Sequence, residues 1–344
     1  MKNLTSIIEK LMNNQSLASE EMTEVMTAVM EGKVEEIQLA SFLTALRHKG
    51  ESVEELVAAA KVMRSHAKSL PYSCSEAVDT CGTGGDGGMT FNVSTAAALV
   101  AAAGGAKVLK HGNRSVSSKC GSADVLEALG IEIHQEPMEV IGCLRRNGMA
   151  FLFAQDYHSS MKHAAKVRKM LGFRSIFNML GPLSNPGNVE QQVMGVYDSS
   201  LLKPMAEALM SLGVKHAMVV HGADGMDELT VTGETYVCEV KDGRILEYCI
   251  LPETLGLERV ALSELEGKNP EENAEIIQSI LEGKRDGRRS LVLLNAGAVL
   301  YVSGRARNLQ EGVMKAAEAI DDGRAMELYK ILASGKNNKG VVAC

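Results

Sequence analysis

No stretch of this sequence approaches the ~20 uninterrupted apolar residues that cross a bilayer, and residues 1–10 mix Lys, Asn and Glu with a few apolar side chains. Neither a membrane span nor an export signal is expected, and the chain reads as cytoplasmic. Positive charge is also in short supply: 36 Lys and Arg stand against 43 Asp and Glu, for a net charge of −7. A general binder of nucleic acid or of membrane surfaces needs the opposite excess, so any anion site must be local. The seven cysteines, at 74, 81, 120, 143, 238, 249 and 344, include no pair within four residues. That spacing excludes a zinc clamp or a redox pair and points to reduced thiols. Tryptophan is absent, but in a chain with 4% aromatics its absence carries no inference.

What is present is ordinary for a globular protein: 45% hydrophobic and 23% charged residues over 344 positions. That length exceeds what one core usually organises, so two domains, or one large α/β domain with a smaller attachment, are expected. In the first 67 residues, Met22, Val25, Met26, Val29 and Met30 recur at helical spacing, as do Leu39, Phe42, Leu43 and Leu46. Ser52 and Glu55 then have capping-box spacing ahead of Leu56, Val57, Ala60 and Met63, which starts a third helix. These methionines read as core filler. The expectation is a small helical domain over 1–70.

Beyond Pro71 short apolar runs alternate with helical segments, and 71–344 is expected to be a larger α/β domain with a mostly parallel central sheet. Candidate strands are 77–80, 106–109, 149–154 and 217–221, with an antiparallel hairpin at 234–249 around Lys241-Asp242-Gly243-Arg244. Helices are expected at 94–103, 123–129, 291–302 and 309–320. Ligands of such a sheet sit at the carboxyl ends of its strands.

The densest signal is DTCGTGGDGG at 79–88, between a strand and a helix. Glycines there let the backbone approach a ligand and turn its N–H groups toward an anion, which makes a phosphate cradle the natural reading over a plain connecting turn. Gly82, Gly84 and Gly87 also satisfy G-x-G-x-x-G. A dinucleotide site fits poorly, because the helix opens only after 89–93 and the next strand leads to Lys110 where a ribose-binding acid belongs. No Lys-Ser or Lys-Thr follows the glycines, so the loop is not a Walker A motif.

The second signal, KHGNRSVSSK at 110–119, gathers three fixed cations, a histidine and three hydroxyls at a strand end in an acidic chain. It reads as a polyphosphate trap rather than a solvated charge run, with Ser122 opening the next helix. The third is Asp227-Glu228, just beyond the strand at 217–221. Adjacent carboxylates on an irregular segment suit magnesium bridged to substrate phosphates, although alone the signal is weak.

Together with NVST at 92–95 and IFNMLGPLSNP at 176–186, these three segments closely resemble the anthranilate phosphoribosyltransferases of the nucleoside-phosphorylase-like glycosyltransferase family, over nearly the whole chain. The resemblance implies transfer of phosphoribosyl from phosphoribosyl pyrophosphate (PRPP) to the amine of anthranilate in tryptophan biosynthesis, with the two substrates meeting between the domains. Position by position it assigns to PRPP Gly82, Gly85, Asp86, Thr90, Asn92, Val93, Ser94, Thr95, Lys110, His111, Gly112, Asn113, Arg114, Ser115, Val116, Ser117, Ser118 and Ser122. To anthranilate it assigns Gly82, Asn113 and Arg168, with His111, His158 and Pro182 as neighbours. Ser94, Asp227 and Glu228 would hold Mg2+, with two ions per subunit, while Lys110 and Lys119 would contribute electrostatically. It further implies a homodimer through the helical domain and leaves open a glutamine amidotransferase partner from anthranilate synthase. From the residues alone, Arg168 between Lys166 and Lys169 would read as a surface arginine.

Two departures stand out. Ser159 and Ser160 follow His158 where the family commonly has proline, which puts the path of the anthranilate-side loop in question, and Cys120 replaces a small Ser or Ala. The rival readings are a nucleoside phosphorylase of the same fold family, which would not require the acidic pair, and a non-catalytic nucleic-acid-binding relative, which the acidic charge disfavours.

Overall fold

Four helices open the chain: α1 (Leu4–Met12), α2 (Ser19–Met30), α3 (Glu36–Lys49) and α4 (Val53–Ser65). The expected cap of α4 is present, with Ser52 Oγ accepting from Glu55 N–H at 3.3 Å and Glu55 Oε2 accepting from Ser52 N–H at 2.7 Å. Glu55 is fully buried; its charge is matched by Lys49 at 2.7 Å and by the Leu17 N–H at 2.8 Å. α1 was not anticipated: its buried Leu4, Ile7 and Leu11 are too few to set a period against the flanking polar residues. These are the coordinates of a computed structural model, which describes residues 4–85, 88, 90–115 and 119–335.

The α/β part runs β1 (Val78–Asp79), α5 (Val93–Ala103), β2 (Val108–Gly112), α6 (Ser122–Ala128), α7 (Pro137–Asn147), β3 (Met149–Phe153), α8 (Ala154–Tyr157), α9 (Lys162–Leu171), α10 (Ile176–Leu180), β4 (Gln191–Gly195), α11 (Leu202–Ser211), β5 (His216–Gly222), β6 (Thr235–Lys241) and β7 (Arg244–Ile250), and closes with α12 (Pro270–Leu281), α13 (Gly287–Val302), α14 (Leu309–Asp321) and α15 (Arg324–Ala333). The sheet order is β3-β2-β1-β4-β5-β6-β7, parallel from β3 to β5 and antiparallel through the hairpin β6–β7. The sheet is mixed, as expected, but β4 at its centre was missed, and β2 extends to Gly112, beyond the expected end at 109.

Alternate residues of the sheet feed two buried clusters, the consequence of a period of two. Met218 and Val220 of β5 face the core shared with α5, α7, α13 and α14. Ala217 and Val219 face the other core, which continues through α9, α10 and α11 into the four N-terminal helices. Among the described residues no helix is long and apolar enough to cross a membrane.

Candidate active site

Chain order reverses between β1 and β4, so the crevice outside their carboxyl ends is the switch point where open α/β sheets take ligands. β1 runs into the glycine loop, and β4 ends at Gly195. Thr83 N–H donates to the Gly195 carbonyl at 2.9 Å, and Thr83 Oγ1 accepts from Tyr197 N–H at 3.1 Å. A methyl group on Gly82 would sit 2.9 Å from the Gly195 carbonyl oxygen. One on Gly195 would lie 1.5 Å from the Asp227 carbonyl oxygen. Glycine loop, β4 and acidic segment thus stack backbone on backbone, and no side chain fits between them.

Gly84 and Gly85 have φ of +63° and +100°, a region that favours glycine and turns the loop over the crevice. Arg174 packs across Gly85, donates to its carbonyl and stacks on the Tyr197 ring at 4.1 Å. Downstream, Thr90 is half-buried, and Asn92 bridges Asn273 Nδ2 at 2.9 Å to the Cys120 carbonyl at 3.1 Å. Val93 and Thr95 are fully buried at the start of α5, so their side chains are closed to a ligand. Ser94 is half-buried on the same turn.

The basic run is divided in use. Lys110 is 1% exposed, lies beneath the loop and donates to Thr80 O at 3.1 Å, Thr80 Oγ1 at 3.0 Å and Ser94 Oγ at 3.2 Å. Arg114 pairs with Asp124 at 3.0 Å and with Glu127, and lies over the Phe153 ring. Asp124 also accepts from Ser115 N–H at 3.0 Å and Gly121 N–H at 2.9 Å, which folds the run back onto α6 beside Ser122. Lys119 is exposed and lines a cavity of about 220 Å³ with Gly88, Leu262, Glu266 and Gly267. Gly112 is packed against Phe151, and the exposed Asn113 accepts from Gln155 Nε2 at 3.2 Å. Asp86, Val116, Ser117 and Ser118 lie outside the described residues.

On the other side of β2, His111 and His158 are both buried, with ring centroids 5.2 Å apart. Burial, then the mutual repulsion with His158 and Lys110, pulls the His111 pKa down to about 3, and burial takes His158 down to about 4. Both are neutral near pH 7. Neither ring nitrogen of His111 has a well-aligned hydrogen-bond partner. Arg168, in the last turn of α9, turns inward over the Phe177 ring at 5.2 Å while Lys166 and Lys169 remain exposed. It is not a surface arginine, and burial lowers its pKa.

Two residues that sequence reasoning passed over tie these parts together. Gln192 of β4, 1% exposed, donates to the carbonyls of Cys81 at 3.2 Å and Pro182 at 2.9 Å, so one amide links the glycine loop to the segment that follows α10. Asn185 donates to Asp79 Oδ2 at 2.9 Å and to the Leu109 carbonyl at 3.0 Å. Asp79 also accepts from the N–H groups of Thr80 and His111, and burial raises its pKa to about 6 against those bonds. Asp79, Cys81 and His111 bring ligand atoms within 4.8 Å of one another. With three hydrogen bonds already on Asp79 and the Lys110 charge beside it, they form the floor of the cleft rather than a metal centre.

Asp227 and Glu228 are half-buried, and their charges reach Cys81: together with burial and Asp79 they raise its thiol pKa. Two adjacent carboxylates near enough to Cys81 to act on its thiol, with the Ser94 hydroxyl at the start of α5, would supply hard oxygens of the kind that suits Mg2+.

Comparison with known proteins places this geometry in a family. The glycosyl transferase family a/b domain matches residues 74–326 and the family's helical bundle domain residues 5–67. The anthranilate phosphoribosyltransferase of Alkaliphilus metalliredigens is 52% identical over 320 residues, 93% of this chain and 94% of its own. That of Thermus thermophilus superposes with a TM-score of 0.89 at 43% identity, over 95% of this chain and 98% of the other. The Saccharomyces cerevisiae enzyme, solved in complex with PRPP and Mg, gives 0.88 at 30% identity over 97% of both chains. The chain belongs to the anthranilate phosphoribosyltransferase family of glycosyl transferases.

Proposed function

We propose that this chain transfers the phosphoribosyl group of PRPP to anthranilate, and that the transfer takes place where Gly82, Gly195 and Asp227 meet. That junction carries the reading: it packs the glycine loop and the main chain of the segment bearing the carboxylate pair together at the switch point of the sheet. The anthranilate nitrogen forms the bond to ribose C1, the bond from C1 to the pyrophosphate oxygen breaks, and the amine's extra proton passes to solvent or to the departing pyrophosphate. An aryl amine is neutral at physiological pH, so no strong base is required, and the neutral His111 and His158 offer an uncharged wall to its ring. The planar fork of Arg168 suits the substrate carboxylate. Glycine-loop amides face the phosphates, and Lys110 contributes its charge from below through Ser94.

Ser94, Asp227 and Glu228 would hold Mg2+, two ions per subunit, and when bound the metal offsets charge building on the leaving pyrophosphate. The further PRPP contacts are those the sequence assigns, Asp86 and 116–118 included. We also propose a division near residue 70, a homodimer through the helical domain and a cytoplasmic location. The support is the family match at 5–67, the exposed Met12 and Ile37 on the first helices, and the absence of a membrane-spanning helix among the described residues. A glutamine amidotransferase from anthranilate synthase is the proposed further partner.

The test mixes the protein with anthranilate, PRPP and Mg2+ and follows the loss of anthranilate fluorescence. Loss that requires both PRPP and metal is expected. No loss, with phosphorolysis of a nucleoside instead, would replace this reading with that of a phosphorylase.

A further inference from the structure

The segment that carries Asp227 and Glu228, between β5 and β6, belongs to no helix or strand, so no hydrogen-bond ladder sets its path. Before the pair, Gly222 N–H donates to the Met226 carbonyl at 2.9 Å; after it, a side chain holds the backbone. Asn295, in the middle of α13 and 2% exposed, accepts from the Leu229 N–H through Oδ1 at 3.1 Å and donates to the Leu229 carbonyl through Nδ2 at 2.8 Å. The same Nδ2 donates to Leu291 O of its own helix at 3.0 Å, which fixes the amide's orientation. Both polar groups of the residue directly after Glu228 are therefore held by one primary amide, 66 positions further along the chain.

The other end of the pair is tied as well. Asp224 accepts from Met226 N–H at 3.0 Å, Thr230 Oγ1 at 2.6 Å and Thr232 Oγ1 at 2.6 Å. Asp227 and Glu228 lie between this knot and the Asn295 clamp, with Asp227 pressed against Gly195. Leu229 itself is fully buried, so a change at Asn295 is passed to the acidic pair through the backbone.

We infer that Asn295 is a positioning residue for the Asp227–Glu228 pair: its amide clamps Leu229 and so sets where the two carboxylates meet a divalent cation. The inference rests on the reading of that pair as the holder of Mg2+. An accept-and-donate clamp requires a carboxamide. In Asn295→Asp the atom facing two carbonyl oxygens becomes an acceptor, and in Asn295→Ala both bonds are lost.

The experiment measures transferase rate against Mg2+ concentration in the full chain, for wild type, Asn295→Asp and Asn295→Ala, with Asp227→Asn and Glu228→Gln in parallel and thermal unfolding recorded for each. The half-saturating Mg2+ should rise about tenfold or more in the Asn295 variants, the size typical of lost support behind a metal ligand. The KM for anthranilate should stay unchanged. Asn295→Ser, whose hydroxyl stops one bond short of the amide nitrogen and turns to the Leu291 carbonyl, loses the Leu229 clamp too, should shift like alanine, and serves if the alanine variant does not fold. A folded Asn295 variant with a lowered melting temperature and an unchanged Mg2+ response would overturn the inference while the Asp227 and Glu228 variants still shift. If those two also respond normally to Mg2+, the metal reading of the pair fails, and the inference with it.

Discussion

Gly195 lies flat against the main chain of Asp227: a methyl group on its α-carbon would sit 1.5 Å from the Asp227 carbonyl oxygen. The same glycine accepts the Thr83 N–H at 2.9 Å, so its carbonyl receives the glycine loop while its α-carbon receives the acidic segment. Gly195→Ala cannot be absorbed by a flexible side chain, because the obstructing atoms are backbone. It should move Asp227 by an ångström or more and lower kcat/KM for PRPP about 100-fold, as misplacement of that size does in catalytic sites. Steady-state kinetics with circular dichroism would check this, and a folded variant within about threefold of wild type would remove Gly195 from the junction.

Under the proposed function, Arg168 should tell the two substrates apart. Its inward turn over Phe177 leaves a planar fork for a carboxylate, and lysine restores the charge without the fork. We expect the KM for anthranilate to rise about tenfold in Arg168→Lys and about 100-fold in Arg168→Ala, with the KM for PRPP nearly unchanged. Equal rises for both substrates would move Arg168 away from the aromatic side.

Gln192 should matter to both substrates. In Gln192→Glu the donor that holds the Cys81 and Pro182 carbonyls becomes an acceptor, leaving buried polar groups unmatched at about 1–3 kcal/mol each. The melting temperature should fall and both KM values rise together. A rise confined to one substrate would show that the amide does not couple the two sides.

The parts of this molecule that were legible in sequence are those in which neighbours along the chain do the work. The Ser52–Glu55 cap, the hairpin about Asp242-Gly243 and the glycine loop each declare themselves within ten residues. β4 did not, because QQVMG opens on two polar residues and closes on glycine, and its burial comes from β1 and β5 on either side. Gln192, Gly195 and Asn295 were hidden for the same reason: each has a partner 32 to 113 positions away, through contacts that only the tertiary fold creates. The basic run was legible as a cluster but not in its division of labour. Lys110 is buried and Arg114 is paired with α6, outcomes that depend on Ser94, Asp124 and Glu127 arriving from elsewhere.

The buried histidines predict how stability responds to acid. In the folded chain His111 and His158 take up protons only near about 3 and about 4, whereas in the unfolded chain they do so near about 6.5. Between those values the unfolded state binds more protons, so the stability they contribute is complete above pH ~6.5 and drains as pH falls, at a limit of about 1.4 kcal/mol per pH unit for each histidine. Asp79 acts in the opposite sense. Its folded pKa is raised to about 6, so the folded state holds its proton more tightly, and stability gains as pH falls from there toward the unfolded value near 3.9. Of these three groups two lose where one gains, so their combined effect between pH ~6.5 and ~4 is a loss. Urea unfolding across that window should show a falling midpoint, shallower in His158→Asn and steeper in Asp79→Asn. A midpoint that rises on acidification would mean that the raised carboxyls, Asp79 and Glu51, outweigh the histidine pair.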